Sequence, residues 1–383
     1  MFETTENPLK LALDLTNISS GGSISILLRL MAHWCAQHLQ LVVFYSRDTV
    51  VNEIQSAGLP VSLVKIGHNW PAWRIFLYRN LFLGRKIKAY QPDILYCVNS
   101  MLLWCSIPQV VHIRNLQHFS SKSIFKQLVT SGPYEALRDW ICRYSVRRNR
   151  YCVYVSNFIS QKAISVCNLT EYHDQIVIYN PISKRLLQLN EACADPLRNY
   201  SNNIILGVFN DYPHKDLPTF LRTLAHLRSM HPERNWRGLV LGEGQWEKYK
   251  PLLEELKLSE CMEFPGYVSS NVIDQYYKKA FCLLVTSHLE SFNNTPLEAM
   301  ACSCPVVITN CCAHPEVAGE AALFFQPGDD STAARIIDSL LNDKNSYAQL
   351  VTQGKQNLTR FLPEHSAKLF LDYFEKIKNR KDL

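Results

Sequence analysis

Short runs of aliphatic and β-branched residues recur along the whole chain, and between them apolar residues return every three or four positions. In the first half the runs fall at 9–15, 41–45, 61–66, 93–98, 109–113, 151–155 and 176–179. A second series covers 203–209, 238–241, 262–264, 281–286, 306–309 and 322–325. Runs this short, with no strict alternation, are the signature of strands buried on both faces. The intervening stretch 23–38 puts Ile24, Leu27, Leu28, Met31, Trp34 and Cys35 on one side, which is the period of a half-buried helix. Strand–helix alternation in both halves predicts parallel sheets covered by helices, and hence two doubly wound Rossmann-like α/β domains facing one another across a cleft. The expected domains are 1–185 and 186–362, with the break in the polar stretch that follows the Asn-Pro turn at Pro181. A last helix over 364–378 follows Pro363, and the segment 363–383 is expected to pack back on the N-terminal domain.

Composition narrows the class. With 383 residues, 47% hydrophobic and 19% charged, the chain can bury ordinary cores, and no apolar run approaches a membrane span. Met1 to Glu6 is acidic where a signal peptide is basic, so a cytoplasmic protein is expected, with the inner face of a membrane as its outer limit. The thirteen cysteines are odd in number and include no Cys-x-x-Cys pair, which argues against a disulfide framework and a zinc ribbon. The tightest group, Cys302, Cys304, Cys311, Cys312 and His314, reads as small apolar packing, with no metal expected. Residues 1–180 carry 18 Lys and Arg against 10 Asp and Glu, whereas the rest of the chain is slightly acidic. A basic first half points to an anionic partner for that half. Nucleic acid is disfavoured because no reader motif occurs.

The densest chemistry lies between Thr286 and Pro315. A buried strand ends near Thr286, a polar loop follows, and a helix is expected with Thr295 as its cap, Pro296 first inside it and Glu298 completing a capping box. The N–H groups of such a first turn attract an anion. Glu290 and Glu298 are separated by seven residues within the string ESFNNTPLEAMACSCPVV.

That string closely resembles the Glu-x7-Glu signature of the family 4 glycosyltransferases, the glycosyl transferases group 1. The resemblance continues through PEVAGEAALFFQPGD (315–329), FPGYVSSNVIDQYYKKA (264–280) and the Gly-x-Gly turn in LVLGEGQWEKYK (239–250). It is looser in YVSNFISQKAI, IVIYNPI and the stretch 9–23. It implies a two-domain glycosyltransferase-B fold and a retaining reaction without metal or cofactor. The donor would be a nucleoside diphosphate sugar held by the C-terminal domain, and the acceptor a glycan or lipid-linked molecule. Lys215 lies where the family reads Gly-Arg-Leu-x-Pro-x-Lys-Gly, and is implied to meet the departing diphosphate. Asn210 stands at the arginine of that motif and Asp216 at its glycine. By the same resemblance Glu298 binds the nucleotide ribose, and Glu290 contacts the donor sugar. Backbone N–H groups of Asn293, Asn294 and Thr295 approach the sugar or phosphate.

In the first half, Gly21 and Gly22 follow the first strand and open a helix, a placement suited to the diphosphate side of the donor. His112, at the end of the strand in VVHIRNLQHF, is taken in preference to His118 as the histidine near the donor sugar. Trp70, Trp73, Phe76, Leu77 and Phe82 interleave with Arg74, Arg79, Arg85, Lys86 and Lys88, and Arg143, Arg147, Arg148 and Arg150 form a second basic group. Such a pattern suits peripheral contact with a membrane. The expected function is therefore a hexosyltransferase of envelope polysaccharide synthesis. The alternatives are a non-catalytic nucleotide-sugar-binding subunit and a sugar-nucleotide epimerase of the same fold.

Overall fold

Strands form at each of the thirteen apolar runs, and all of them pair in parallel. In the computed structural model, which describes residues 8–18, 22–37, 39–67, 70–119, 132–169, 174–192 and 195–380, they make two sheets. The first contains β1 (Lys10–Asp14), β2 (Gln40–Tyr45), β3 (Ser62–Lys65), β4 (Ile94–Val98), β5 (Gln109–Ile113), β6 (Tyr151–Tyr154) and β7 (Asp174–Val177). Its order is β3-β2-β1-β4-β5-β6-β7. The second contains β8 (Ile204–Val208), β9 (Arg237–Leu241), β10 (Met262–Gly266), β11 (Cys282–Val285), β12 (Val306–Thr309) and β13 (Leu323–Phe325), in the order β10-β9-β8-β11-β12-β13. The central strands β4, β5, β11 and β12 are buried at every residue, which is why their sequences are apolar without alternation.

In each sheet the strand order reverses once, between β1 and β4 and between β8 and β11. Loops leaving the carboxyl ends of strands on either side of such a reversal diverge, and the space they leave is where doubly wound sheets bind ligands. The residues after β8 and β11 are 209–216 and 286–294, which hold Lys215 and Glu290.

The chain divides into Met1–Pro181 with Pro363–Leu383, and Ile182–Leu362. The returning helix Pro363–Asn379 belongs to the first unit because it completes that unit's core. Phe370 and Phe374 each meet Trp34 edge to face at 5.5 Å, and Ala367, Tyr373 and Ile377 are buried beside them. Trp34 lies on the helix Gly22–Ala36, whose Ile24, Leu27 and Met31 share the same buried side.

Candidate functional site

Lys215 closes a single 3-10 turn, Pro213–Lys215, after β8. Its carbonyl accepts a hydrogen bond from Thr286 Oγ1 at 2.8 Å, and the next loop is tied on again where the His288 N–H donates to the His214 carbonyl at 2.7 Å. The loops after β8 and β11 are thereby laced together. The Lys215 ammonium donates to Glu290 Oε1 at 2.5 Å, with the two side chains 20% and 12% exposed. A cation and a carboxylate, half-buried and paired at the switch point of the sheet, can each be redirected by a charged ligand.

Asp216, in place of the family's glycine, keeps the left-handed backbone such a glycine supplies, with φ of 55°. Aspartate tolerates that conformation better than most residues. It then adds what glycine cannot. It caps the helix Leu217–Met230 through the Thr219 N–H and hydroxyl, and Oδ2 meets His288 Nε2 at 2.6 Å.

Asn210, at the arginine position of the motif, turns to the backbone: its Oδ1 accepts the Glu243 N–H at 3.0 Å. This holds the Gly242 turn after β9. There φ is +135°, and an added Cβ would lie 2.2 Å from the Phe209 carbonyl oxygen, so only glycine fits. His214 does not restore the missing charge. Burial and the neighbouring Lys215 push its pKa down, and it stacks on Tyr212.

The helix bearing Glu298 runs over Thr295–Ala301, beginning one residue earlier than a Thr295 cap requires. Asn294 is the cap, and its side chain does not bond the N–H groups of the first turn. The reason is Asn293, which takes a positive φ of 72° and uses Oδ1 to accept both the Thr295 N–H (3.2 Å) and hydroxyl (2.9 Å). The Thr295 N–H is therefore engaged inside the loop. Asn293 is held in turn by buried His314, whose Nε2 lies 3.2 Å from Nδ2 and whose Nδ1 lies 3.0 Å from the Thr309 carbonyl. Burial lowers the His314 pKa, so the ring stays neutral and its Nε2 stays an acceptor. Glu298 Oε2 accepts the Tyr277 hydroxyl at 3.0 Å. Tyr277 is fully buried, and burial followed by the Glu298 charge drives its phenol far up. It remains a donor and fixes one carboxylate oxygen. Cys302 and Cys304 are core residues, and burial pushes the Cys302 thiol up to about 12.

The second unit thus pairs Lys215 with Glu290 and ties Asn293 to Thr295, whereas Asn210, in the loop after β8, is bonded to the Glu243 N–H. In the first unit Gly22 opens its helix, while Gly21 lies outside the described residues. His112 stands on β5 and is 1% exposed. Its Nδ1 meets the Tyr96 hydroxyl, and its ring packs on Phe370 at 5.3 Å. The histidine that lines a cavity is His118. The basic clusters separate as well. Arg79 and Arg143 are buried, the first on Asp14 and the second on the His118 carbonyl, whereas Arg74, Arg85 and Lys88 are exposed beside Trp73, Leu77 and Phe82.

Two doubly wound parallel-sheet domains, the second with Lys215 and Glu290 paired on the loops after β8 and β11, have the glycosyltransferase-B architecture. Residues 192–357 match the model of the family "Glycosyl transferases group 1". The chain is 25% identical over 195 residues to the O-antigen chain mannosyltransferase RfbU of Salmonella typhimurium, covering 50% of this chain and 51% of that protein. It is 33% identical over 120 residues to the O-antigen chain mannosyltransferase B of Escherichia coli, covering 31% of this chain and 29% of that one. It thus spans about half or less of the length of these curated relatives. Among solved structures, Anabaena Alr3699/HepE in complex with UDP and glucose superposes with a TM-score of 0.74 at 16% identity, over 96% of this chain and 100% of that one, a likeness of fold.

Proposed function

We propose that the chain is a retaining, metal-independent glycosyltransferase that moves a sugar from a nucleoside diphosphate sugar to a glycan or lipid-linked acceptor in envelope polysaccharide synthesis. The observation that carries this reading is the Lys215–Glu290 pair at the switch point of the second sheet. Breaking the sugar–phosphate bond leaves negative charge on the diphosphate, and a preorganised cation lowers that barrier most when it is already in place. Lys215 turns from Glu290 to the phosphate, and Glu290 then accepts hydrogen bonds from the donor sugar hydroxyls. The acceptor oxygen bonds to the anomeric carbon on the face the diphosphate leaves and passes its proton to the departing phosphate, so configuration is retained. Glu298, oriented by the Tyr277 hydroxyl, binds the nucleotide ribose. The sequence holds no Asp-x-Asp pair of the kind that seats a catalytic cation in metal-dependent transferases.

The relatives' names favour a mannosyl group and an O-antigen type of glycan. Exposed Trp73, Leu77 and Phe82 among Arg74, Arg85 and Lys88 suit peripheral contact with an anionic membrane. One observation favours the second reading, a non-catalytic donor-binding subunit: Asn210 removes a charge-assisted contact worth roughly 1.5–3 kcal/mol. Nucleotide release should be assayed with UDP-, GDP- and ADP-sugars and with glycan and lipid-linked acceptors, in EDTA. Release from one donor, undiminished by the chelator, is expected. Tight donor binding without turnover across the panel would select the subunit, and loss of activity in EDTA would remove metal independence.

A further inference from the structure

At the switch point of the first sheet the loops after β1, β2 and β4 open into a cavity of about 350 Å³, walled by the helices Ala72–Tyr78 and Pro133–Arg148 and by the 3-10 turn that carries His118. None of its lining residues is acidic, while Arg47, Arg79, Arg138 and His118 all contribute. Three acids outside the lining are bonded to it, Asp14, Asp139 and Glu135, the last to Arg138 Nη1 at 2.9 Å. Asp14 accepts Arg79 Nε at 2.6 Å together with the Thr16 N–H and hydroxyl, and Asp139 accepts His118 Nδ1 at 2.6 Å.

What the protein leaves for a ligand follows by subtraction. Arg79 is consumed: besides Asp14 it donates to the Ser100 carbonyl at 2.6 Å and the Met101 carbonyl at 3.3 Å, so it builds the floor. Asn17 and Ser46 are turned to the Val98 and Thr16 carbonyls. Arg47 is exposed at the mouth and has no side-chain partner among the described residues. Arg138 uses only Nη1, on Glu135, for its hydrogen bonds. His118 is 3% exposed, and its Nε2 has no hydrogen-bond partner among the described residues. One free guanidinium, most of a second and a held imidazole nitrogen line a space the size of a substituted sugar, and the carboxylates beside them, Glu135 and Asp139, are already engaged by Arg138 and His118.

We infer that this cavity seats a phosphate group carried by the acceptor, bound by Arg47, Arg138 and His118 Nε2. The inference rests on the transferase reading above, and it names the acceptor's class: a phosphoryl-bearing molecule, whether a sugar phosphate or a lipid diphosphate. Asp139 is a positioning residue that holds the His118 ring so that Nε2 meets the phosphate.

The test is binding, followed through the histidine side-chain NMR signals of the full chain, so it does not depend on turnover. Glucose 6-phosphate, glucose, farnesyl diphosphate and farnesol serve as probes. The phosphorylated member of at least one pair is expected to bind at least about tenfold tighter than its neutral partner and to shift the His118 signal. Arg47→Gln, at an exposed position that leaves the fold alone, should weaken that binding about tenfold, while Lys215→Ala should leave the His118 response in place. A stronger response to glucose 6-phosphate assigns the phosphate to a sugar, and a stronger response to farnesyl diphosphate assigns it to a lipid. Neutral and phosphorylated probes binding alike, or a phosphate response that vanishes with Lys215→Ala and survives Arg47→Gln, would overturn the inference. Donor turnover measured on the same protein tells this failure apart from failure of the transferase reading.

Discussion

Glu298 shows how a residue's task is set by a partner far away in sequence. Spacing alone makes it a helix cap, yet Asn293 engages the Thr295 N–H and Tyr277 donates to one Glu298 carboxylate oxygen. Glu298→Ala is expected to weaken nucleotide diphosphate binding at least about tenfold while slowing turnover less. Tyr277→Phe should weaken it by roughly two- to tenfold, the ~0.5–1.5 kcal/mol of one hydrogen bond. Titration of the nucleotide against both variants checks this, and unchanged affinity in Glu298→Ala would remove the ribose role. Lys215, Glu290 and Glu298 were legible in the sequence because they sit in contiguous strings with fixed spacing. Tyr277, His314 and the His118–Asp139 pair were not, since each meets its partner across 21 positions and only the tertiary fold closes that gap. His112 drew attention by ending an apolar strand, but that same burial makes it a packing residue between Tyr96 and Phe370.

At the scale of elements, the strands were readable because parallel strands buried on both faces leave a continuous apolar trace, and their ends shift by only a residue or two. β7 begins at Asp174 rather than at residue 176, because its edge is drawn toward the returning helix, whose Tyr373 hydroxyl donates to the Asp174 carbonyl at 2.6 Å. The stretch 72–88 reads as one aromatic and basic pattern, yet it folds as a helix, a π-helical turn over Arg79–Leu83 and a second short helix. That wider turn carries Arg79, which reaches buried Asp14, a contact no local periodicity encodes. The helix Pro363–Asn379 lies far from the first unit's strands in sequence and completes their core. Phe370→Ala should therefore destabilise the first unit by about 3–5 kcal/mol. Urea unfolding followed by tryptophan fluorescence, with Trp34 as the nearest reporter, measures it. An unchanged transition midpoint would mean that the helix is not part of that core.

For the whole molecule, the basic excess of the first half divides between buried structural arginines and an exposed aromatic–basic surface, so net charge forecast a partner class but not which residues meet it. Each unit also buries a neutral histidine. Burial, then Arg114, drives the His112 pKa well down, and burial lowers that of His314. The unfolded chain takes up these protons below the ordinary histidine value of about 6.5, while the folded chain resists. Their stabilising contribution is complete above that pH and is lost as pH falls through the window beneath it, by up to ~1.4 kcal/mol per pH unit for each ring. Urea midpoints at pH 7.5 and 5.5 should show this loss, and His112→Gln should make it shallower. An identical slope in the variant would assign the acid sensitivity elsewhere. The account as a whole rests on a lysine that receives the diphosphate as it departs. Its most direct measurement is single-turnover nucleotide release by Lys215→Ala at saturating donor. The predicted result is a rate at least ~100-fold below that of the unaltered chain, about 2.7 kcal/mol of lost transition-state stabilisation, with donor affinity changed far less. A rate within about threefold of the unaltered chain would contradict it.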